Sequence, residues 1–189
     1  DVLALQSEMA KAIVREIQVV LTPPEQLRLA IIRPVVPGAY DDYLRGRYFW
    51  NKRTGAKFTQ AIEYFRSAID QDPLYAPAHA GLADAYALLG SIGYDAMPPC
   101  EGLSLAKAAA SQALQLDPEL AEAHASLGYV KLSYDWDWSG ARQALQRSIE
   151  SNPNYATGHL WYGHYWLAMV RLEDAERELK RALELDPFS

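Results

Sequence analysis

The stretch ARQALQRSIESNPNYATGHLWYGHYW, residues 141–166, decides the fold. Its first half sets Ala141, Leu145 and Ser148 at the i, i+4, i+7 spacing of one helix face. Asn152-Pro153 then ends that run, because proline lacks the amide a helix needs and disfavours helical backbone in the residue before it. A second amphipathic run follows, through Tyr162, Gly163 and Trp166. Outward from this stretch the dipeptide returns as Asp72-Pro73, Asp117-Pro118 and Asp186-Pro187, with successive prolines 45, 35 and 34 residues apart. A period near 34 residues is that of stacked helical hairpins, each too small to bury its apolar face without its neighbour.

Aligned on the prolines, residue type is kept at several offsets. Twelve before stand Ala61, Ala106, Ala141 and Ala175; eight before, Phe65, Ala110, Leu145 and Leu179; five before, Ala68, Ala113, Ser148 and Ala182. This is the inward face of the second helix of each unit. Ten after the proline come Ala83, Gly128 and Gly163, small enough for close helix approach, each preceded by Leu82, Leu127 or Tyr162. Tyr86 and Trp166 stand thirteen after, a slot from which Lys131 departs. In the first unit Gly46 and Phe49 fit the glycine and aromatic slots. Its turn at 51–57 is lengthened, and the second unit carries an insertion at 91–101, whose Gly93, Pro98 and Pro99 read as a loop between two helices.

These residues resemble the tetratricopeptide repeat family, whose pattern is Trp-x-x-Leu-Gly-x-x-Tyr followed by Ala-x-x-x-Phe, Ala and Pro. The resemblance covers residues 39 to 187 and implies an all-α superhelix of four helix pairs, about 39–73, 76–118, 121–153 and 156–187, within a domain spanning 37–189. The strings from Tyr43 to Arg53 and from Tyr134 to Trp138 are similar to the carboxy-terminal repeat region of bacterial signalling proteins. In those proteins such repeats follow adenylate cyclase, winged-helix regulator or serine/threonine kinase domains. No such output domain stands in this sequence, so catalysis and DNA binding do not carry over.

Residues 1–36 read as an amino-terminal helical segment, the tail of an upstream domain plus a linker. Val2, Leu5, Met9, Ile13, Ile17 and Val20 form one apolar stripe, and Thr22-Pro23-Pro24-Glu25 matches a capping box opening a second helix that Arg33-Pro34 stops. Residues 35–38 read as linker.

Half of the 189 residues are hydrophobic and 22% are charged, a balance that excludes disorder. A formal charge of −6 opposes broad contact with nucleic acid or an anionic membrane, and no apolar run reaches bilayer-spanning length. The single cysteine, Cys100, rules out an internal disulfide framework. Cytoplasmic and periplasmic settings both stay open.

No catalytic residue, cofactor or metal is expected. His79, His124 and His159 each stand six after a proline, a repeated slot that places them a helix spacing apart, about 8–10 Å, far beyond the reach of one ion. They read as half-buried groups that hydrogen-bond a neighbouring helix. Asp135 and Asp137, beside Trp136 and Trp138, suggest a carboxylate pair, but they fall in the third unit's turn. There Asp137 is expected to cap the helix entering at Trp138 while the indoles cover the turn.

The functional surface of such an array is its concave face, lined by the first helix of each unit. By offset it carries Tyr40, Tyr43, Arg47 and Trp50, then Asp84 with Leu88, then Glu122 and Tyr129, then Leu160, Trp161 and His164. For Tyr40 and Trp161 the offsets fit both a groove lining and packing between helices. The reading is a non-enzymatic module that binds a protein or peptide through this face, with self-association through uncapped ends. The alternative is a sensor of small molecules that controls an absent output domain.

Overall fold

The computed structural model describes residues 8–9, 35–91, 93 and 97–187. Of the apolar stripe expected over residues 2–20 only Met9 falls among them, and the capping box at 22–25 lies outside. From residue 35 the described chain is eight α-helices in four pairs: α1 Pro37–Trp50 with α2 Gly55–Gln71, α3 Ala76–Leu89 with α4 Pro99–Leu116, α5 Ala121–Val130 with α6 Trp138–Ser151, and α7 Ala156–Ala168 with α8 Leu172–Leu185. Each pair packs face to face, and each second helix also packs on the first helix of the next unit. The first helices α1, α3, α5 and α7 touch one another in succession, whereas the second helices make no comparable contact among themselves. One layer is therefore drawn together and the other splayed, which bends the stack into an all-α superhelix with the first helices inside.

The small-residue slot has a direct steric cause. A Cβ added to Gly46 would lie 2.5 Å from Phe65 Cε1, and the same ring fills the space left by Gly81, two residues before the slot in the next unit. Leu145 stands in the same relation to Gly128, at 2.5 Å, and Leu179 to Gly163, at 2.7 Å. Such separations are shorter than any carbon contact, so these helix pairs close only without a side chain there.

The recurring acid or amide before proline is explained by the turn it builds. Asp72 Oδ1 accepts from the Leu74 amide at 3.3 Å, Asp117 Oδ1 from Glu119 at 3.0 Å and Asn152 Oδ1 from Asn154 at 3.1 Å. The repeated histidine closes the same turn. Nε2–H of His79, His124 and His159 donates to the carbonyl of Pro73, Pro118 and Pro153 at 3.0, 2.8 and 3.0 Å. Since a carbonyl only accepts, Nε2 of each ring carries a proton. These bonds run to the preceding turn rather than to a neighbouring helix; His159 alone adds a second partner on another helix, with Nδ1 2.8 Å from Glu178 of α8.

Other boundaries move. Pro37 and Gly38, expected in a linker, already belong to α1, with proline in the first turn where its missing amide costs nothing. Pro99 to Glu101, expected in the loop of the second unit, open α4. Gly90 and Gly102 bring the two ends of that insertion together, since a Cβ on Gly102 would lie 2.6 Å from Gly90 Cα. At Lys131 the third unit leaves α-geometry for a π-turn, Lys131–Asp135. Asp137 caps α6, accepting from the Gly140 amide at 2.8 Å. That bond, then Lys131, holds its carboxyl below the usual range. The indoles do not cover the turn: Trp136 is 68% exposed.

Candidate functional site

The geometry of the inner face starts from α3, where Ala80, Ala83, Ala85 and Ala87 are buried and let α1 and α5 approach closely. Asp84, fully buried among them, accepts from Arg47 Nη1 of α1 at 2.9 Å and from the Tyr155 hydroxyl at 3.0 Å, both on Oδ2. Ser126 of α5 donates its hydroxyl to Oδ1. One carboxylate thus joins side chains from the first and third units and from the entry to the fourth. Burial pushes the Asp84 carboxyl above the usual range, while Arg47 and the two hydroxyls pull it down. The Arg47 guanidinium also lies 4.3 Å from the centre of the Trp50 ring, with Arg53 at 3.8 Å.

Beside this cluster lies a groove of about 590 Å³. Its floor is Tyr129 stacked on Trp161, with ring centres 4.9 Å apart. Leu88 and Ser91 of the second unit form one wall with Arg53, and Leu160, Leu179 and Leu183 of the fourth form the other. Thr157, His164 and Asp186 supply polar atoms. His164 is exposed at the rim, yet the groove wall desolvates its imidazole enough to hold it below the ordinary value.

Of the residues expected on the inner face, Tyr129, Trp161 and His164 meet in this groove, with Leu88 and Leu160. Arg47, Trp50 and Asp84 stand outside its lining, in the cluster beside it. Trp50, Asp84 and Trp161 are buried, so they shape the face more than they present surface. Tyr43 packs edge-on against Tyr75 at 5.4 Å, and Tyr40 joins the same small cluster around Ala39, Ala68 and Ala78. Glu122 is half-buried at the start of α5. Arg53, Ser126, Tyr155 and the α8 side chains were not anticipated. Only Tyr155 carried a sequence signal, as one of the bulky residues Tyr75, Leu120 and Tyr155 two places after each proline.

Asp135 and Asp137 are each engaged by a lysine, Lys107 at 2.6 Å and Lys131 at 3.2 Å. Among the described residues no group of three or more His, Cys, Asp and Glu side chains is placed to hold a metal ion, and no helix is long and apolar enough to cross a membrane.

Comparison with known proteins agrees with this architecture. A thermophilic repeat protein of Thermus thermophilus superposes with a TM-score of 0.63 at 20% identity, over 81% of this chain and 76% of its own. PilF of Pseudomonas aeruginosa gives 0.56 at 19% identity, over 80% and 63%. The first repeat domain of Spaghetti (RPAP3), solved with the HSP90 peptide SRMEEVD, gives 0.51 at 16% identity, over 79% and 98%. At such identities the likeness is one of fold. No curated protein sequence matches the chain. The tetratricopeptide repeat family model, however, matches residues 43–93 and 137–189, more than half of the chain. With four helix pairs built on one register of alanine, glycine and proline, the chain belongs to the tetratricopeptide repeat family.

Proposed function

We propose that this chain is the interaction module of a bacterial signalling or regulatory protein, and that it binds a peptide or protein segment in the groove of its inner face. The family's members are generally non-enzymatic scaffolds, and a protein–protein interaction role follows from the fold. The observation that carries the finer reading is the groove itself: stacked Tyr129 and Trp161 between walls of leucine from the second and fourth units. Aromatic rings offer large contact area at low conformational cost, and apolar side chains of an extended or helical segment fill the spaces between them. The signalling context rests on the likeness of the Tyr43 and Tyr134 strings.

A displayed random-peptide library selected on the chain tests this. Enriched peptides should bind wild type and lose about tenfold or more on Leu160→Ala or Tyr129→Ala, in line with the loss of a buried anchor. Selected peptides indifferent to both variants would remove the groove from the account. A second reading is supported by size, because about 590 Å³ lies within the range of small-molecule pockets. A metabolite that raises the melting temperature of wild type and not of Leu160→Ala would favour it.

A further inference from the structure

Two carboxylates of the first-helix layer, Asp84 and Glu122, both feel the charge of Arg47, which pairs with Asp84 alone. Arg47 bonds Asp84 at 2.9 Å, and that carboxylate is completed by the Tyr155 and Ser126 hydroxyls. Glu122 stands one helical turn before Ser126 on the same face of α5, so it lies one turn along from the Asp84 cluster. Arg47's charge lowers its pKa, but among the described residues no cation forms an ion pair with it; its carboxylate accepts from its own backbone amide. Burial, and the nearby charge of Asp84, push its carboxyl above the usual range. The charge of Glu122 adds to the raised pKa of Tyr43, Tyr75 and Tyr155.

The repeat register places Glu122 on the groove side. It stands four after Pro118, and the equivalent residue four after Pro153 is Thr157, which lines the groove. Tyr129, on the groove floor, is seven residues further along α5 on the same face, about 10 Å away at 1.5 Å per residue. A half-buried carboxylate about 10 Å from an aromatic floor is complementary to an ammonium or guanidinium carried near an apolar anchor.

Building on the groove reading above, we infer that Glu122 receives a lysine or arginine side chain of the bound segment, placed about 10 Å from the apolar residue that sits on Tyr129 and Trp161. At about 3.3 Å per residue an extended segment spans this in three residues, and at 1.5 Å a helical one in seven. The preference is opposite in charge to SRMEEVD, the acidic peptide held by the Spaghetti domain.

The test is a synthetic peptide array in which a Phe or Leu anchor is followed, three or seven residues later, by Lys, Arg, Gln or Glu, with SRMEEVD as a control. Binding is read by fluorescence anisotropy on the full chain. Lys and Arg peptides should bind about tenfold tighter than their Gln counterparts, with Glu peptides and SRMEEVD weakest. Glu122→Gln, close to isosteric, should bring the Lys-to-Gln ratio to about one while leaving the Gln peptides and the melting temperature unchanged. Tyr129→Ala should weaken every peptide alike and leave the ratio intact. A Lys-to-Gln ratio unaffected by Glu122→Gln overturns the assignment even where the groove binds. Peptides insensitive to Tyr129→Ala overturn the groove reading and this one with it.

Discussion

Replacing Asp84 by alanine removes the acceptor shared by Arg47, Ser126 and Tyr155. Removing one partner of a buried ion pair costs about 3–5 kcal/mol, because the other charge is left without compensation. Arg47 keeps 22% of its side chain exposed and recovers some hydration, so the loss should fall near the lower end, about 3 kcal/mol. Urea unfolding followed by tryptophan fluorescence and circular dichroism measures it. Arg47→Met leaves the complementary defect, a buried carboxylate with only two hydroxyl donors, which raises the Asp84 pKa further. The folded state then keeps a proton that the unfolded chain releases, so stability is fullest below the ordinary aspartate range and falls as pH rises through the raised value. The double variant Arg47→Met, Asp84→Leu removes both charges and should regain most of the loss. Hydrogen exchange supplies a further readout. If Asp84 ties the units together, exchange should quicken in α7 as well as in α1 and α5. A loss under about 1 kcal/mol, within the range of surface pairs, a double variant no better than Asp84→Ala, or an undisturbed α7 would refute the reasoning.

Gly102→Ala should destabilise by about 2 kcal/mol through overpacking, because its Cβ would meet the backbone of Gly90 at 2.6 Å. Gly93→Ala, with nothing within 4 Å, should stay within about 0.5 kcal/mol of wild type in the same unfolding assay. Val170→Gly should stabilise by about 1 kcal/mol, since this β-branched residue is held at φ 57 in the turn between α7 and α8; thermal unfolding checks it. His124→Ala should lose about 1 kcal/mol with the bond to the Pro118 carbonyl. An unchanged melting temperature would show that water replaces the imidazole without penalty.

The fold was legible because its causes are local and recur. Ala141, Leu145 and Ser148 declare a helix face by spacing alone, and the Asp-Pro or Asn-Pro turn is built within a few residues of itself. The small-residue slot was legible for the same reason, as the first, third and fourth units place a Phe or Leu against a glycine and the second sets Ala110 against Ala83. The histidines show where periodicity runs out. Their spacing gave one shared role, but whether the ring reached forward to a helix or back to a turn depended on a rotamer that spacing does not encode. Trp136 shows it again: the π-turn and the left-handed residue that ends it, at φ 56, turn the indole outward.

The candidate site was half legible, and the division follows from repeat physics. Counting from each proline, and from Gly46 in the first unit, Arg47, Asp84, Tyr129 and His164 occupy a single slot, directly after the small residue. Every unit thus directs this position to the inner face, but the register is blind to what neighbours in the column do to one another. Arg47 and Asp84, opposite in charge and brought within 2.9 Å, pair and are drawn under the surface. Tyr129, stacked on Trp161, and His164 line the groove instead. The conversion of one half of a column into a buried tie and the other into a groove lining is a pairwise effect of non-equivalent residues. It is also why this array departs from the nearest-neighbour rule for repeats: Tyr155, at the entry to the fourth unit, bonds a carboxylate in the second.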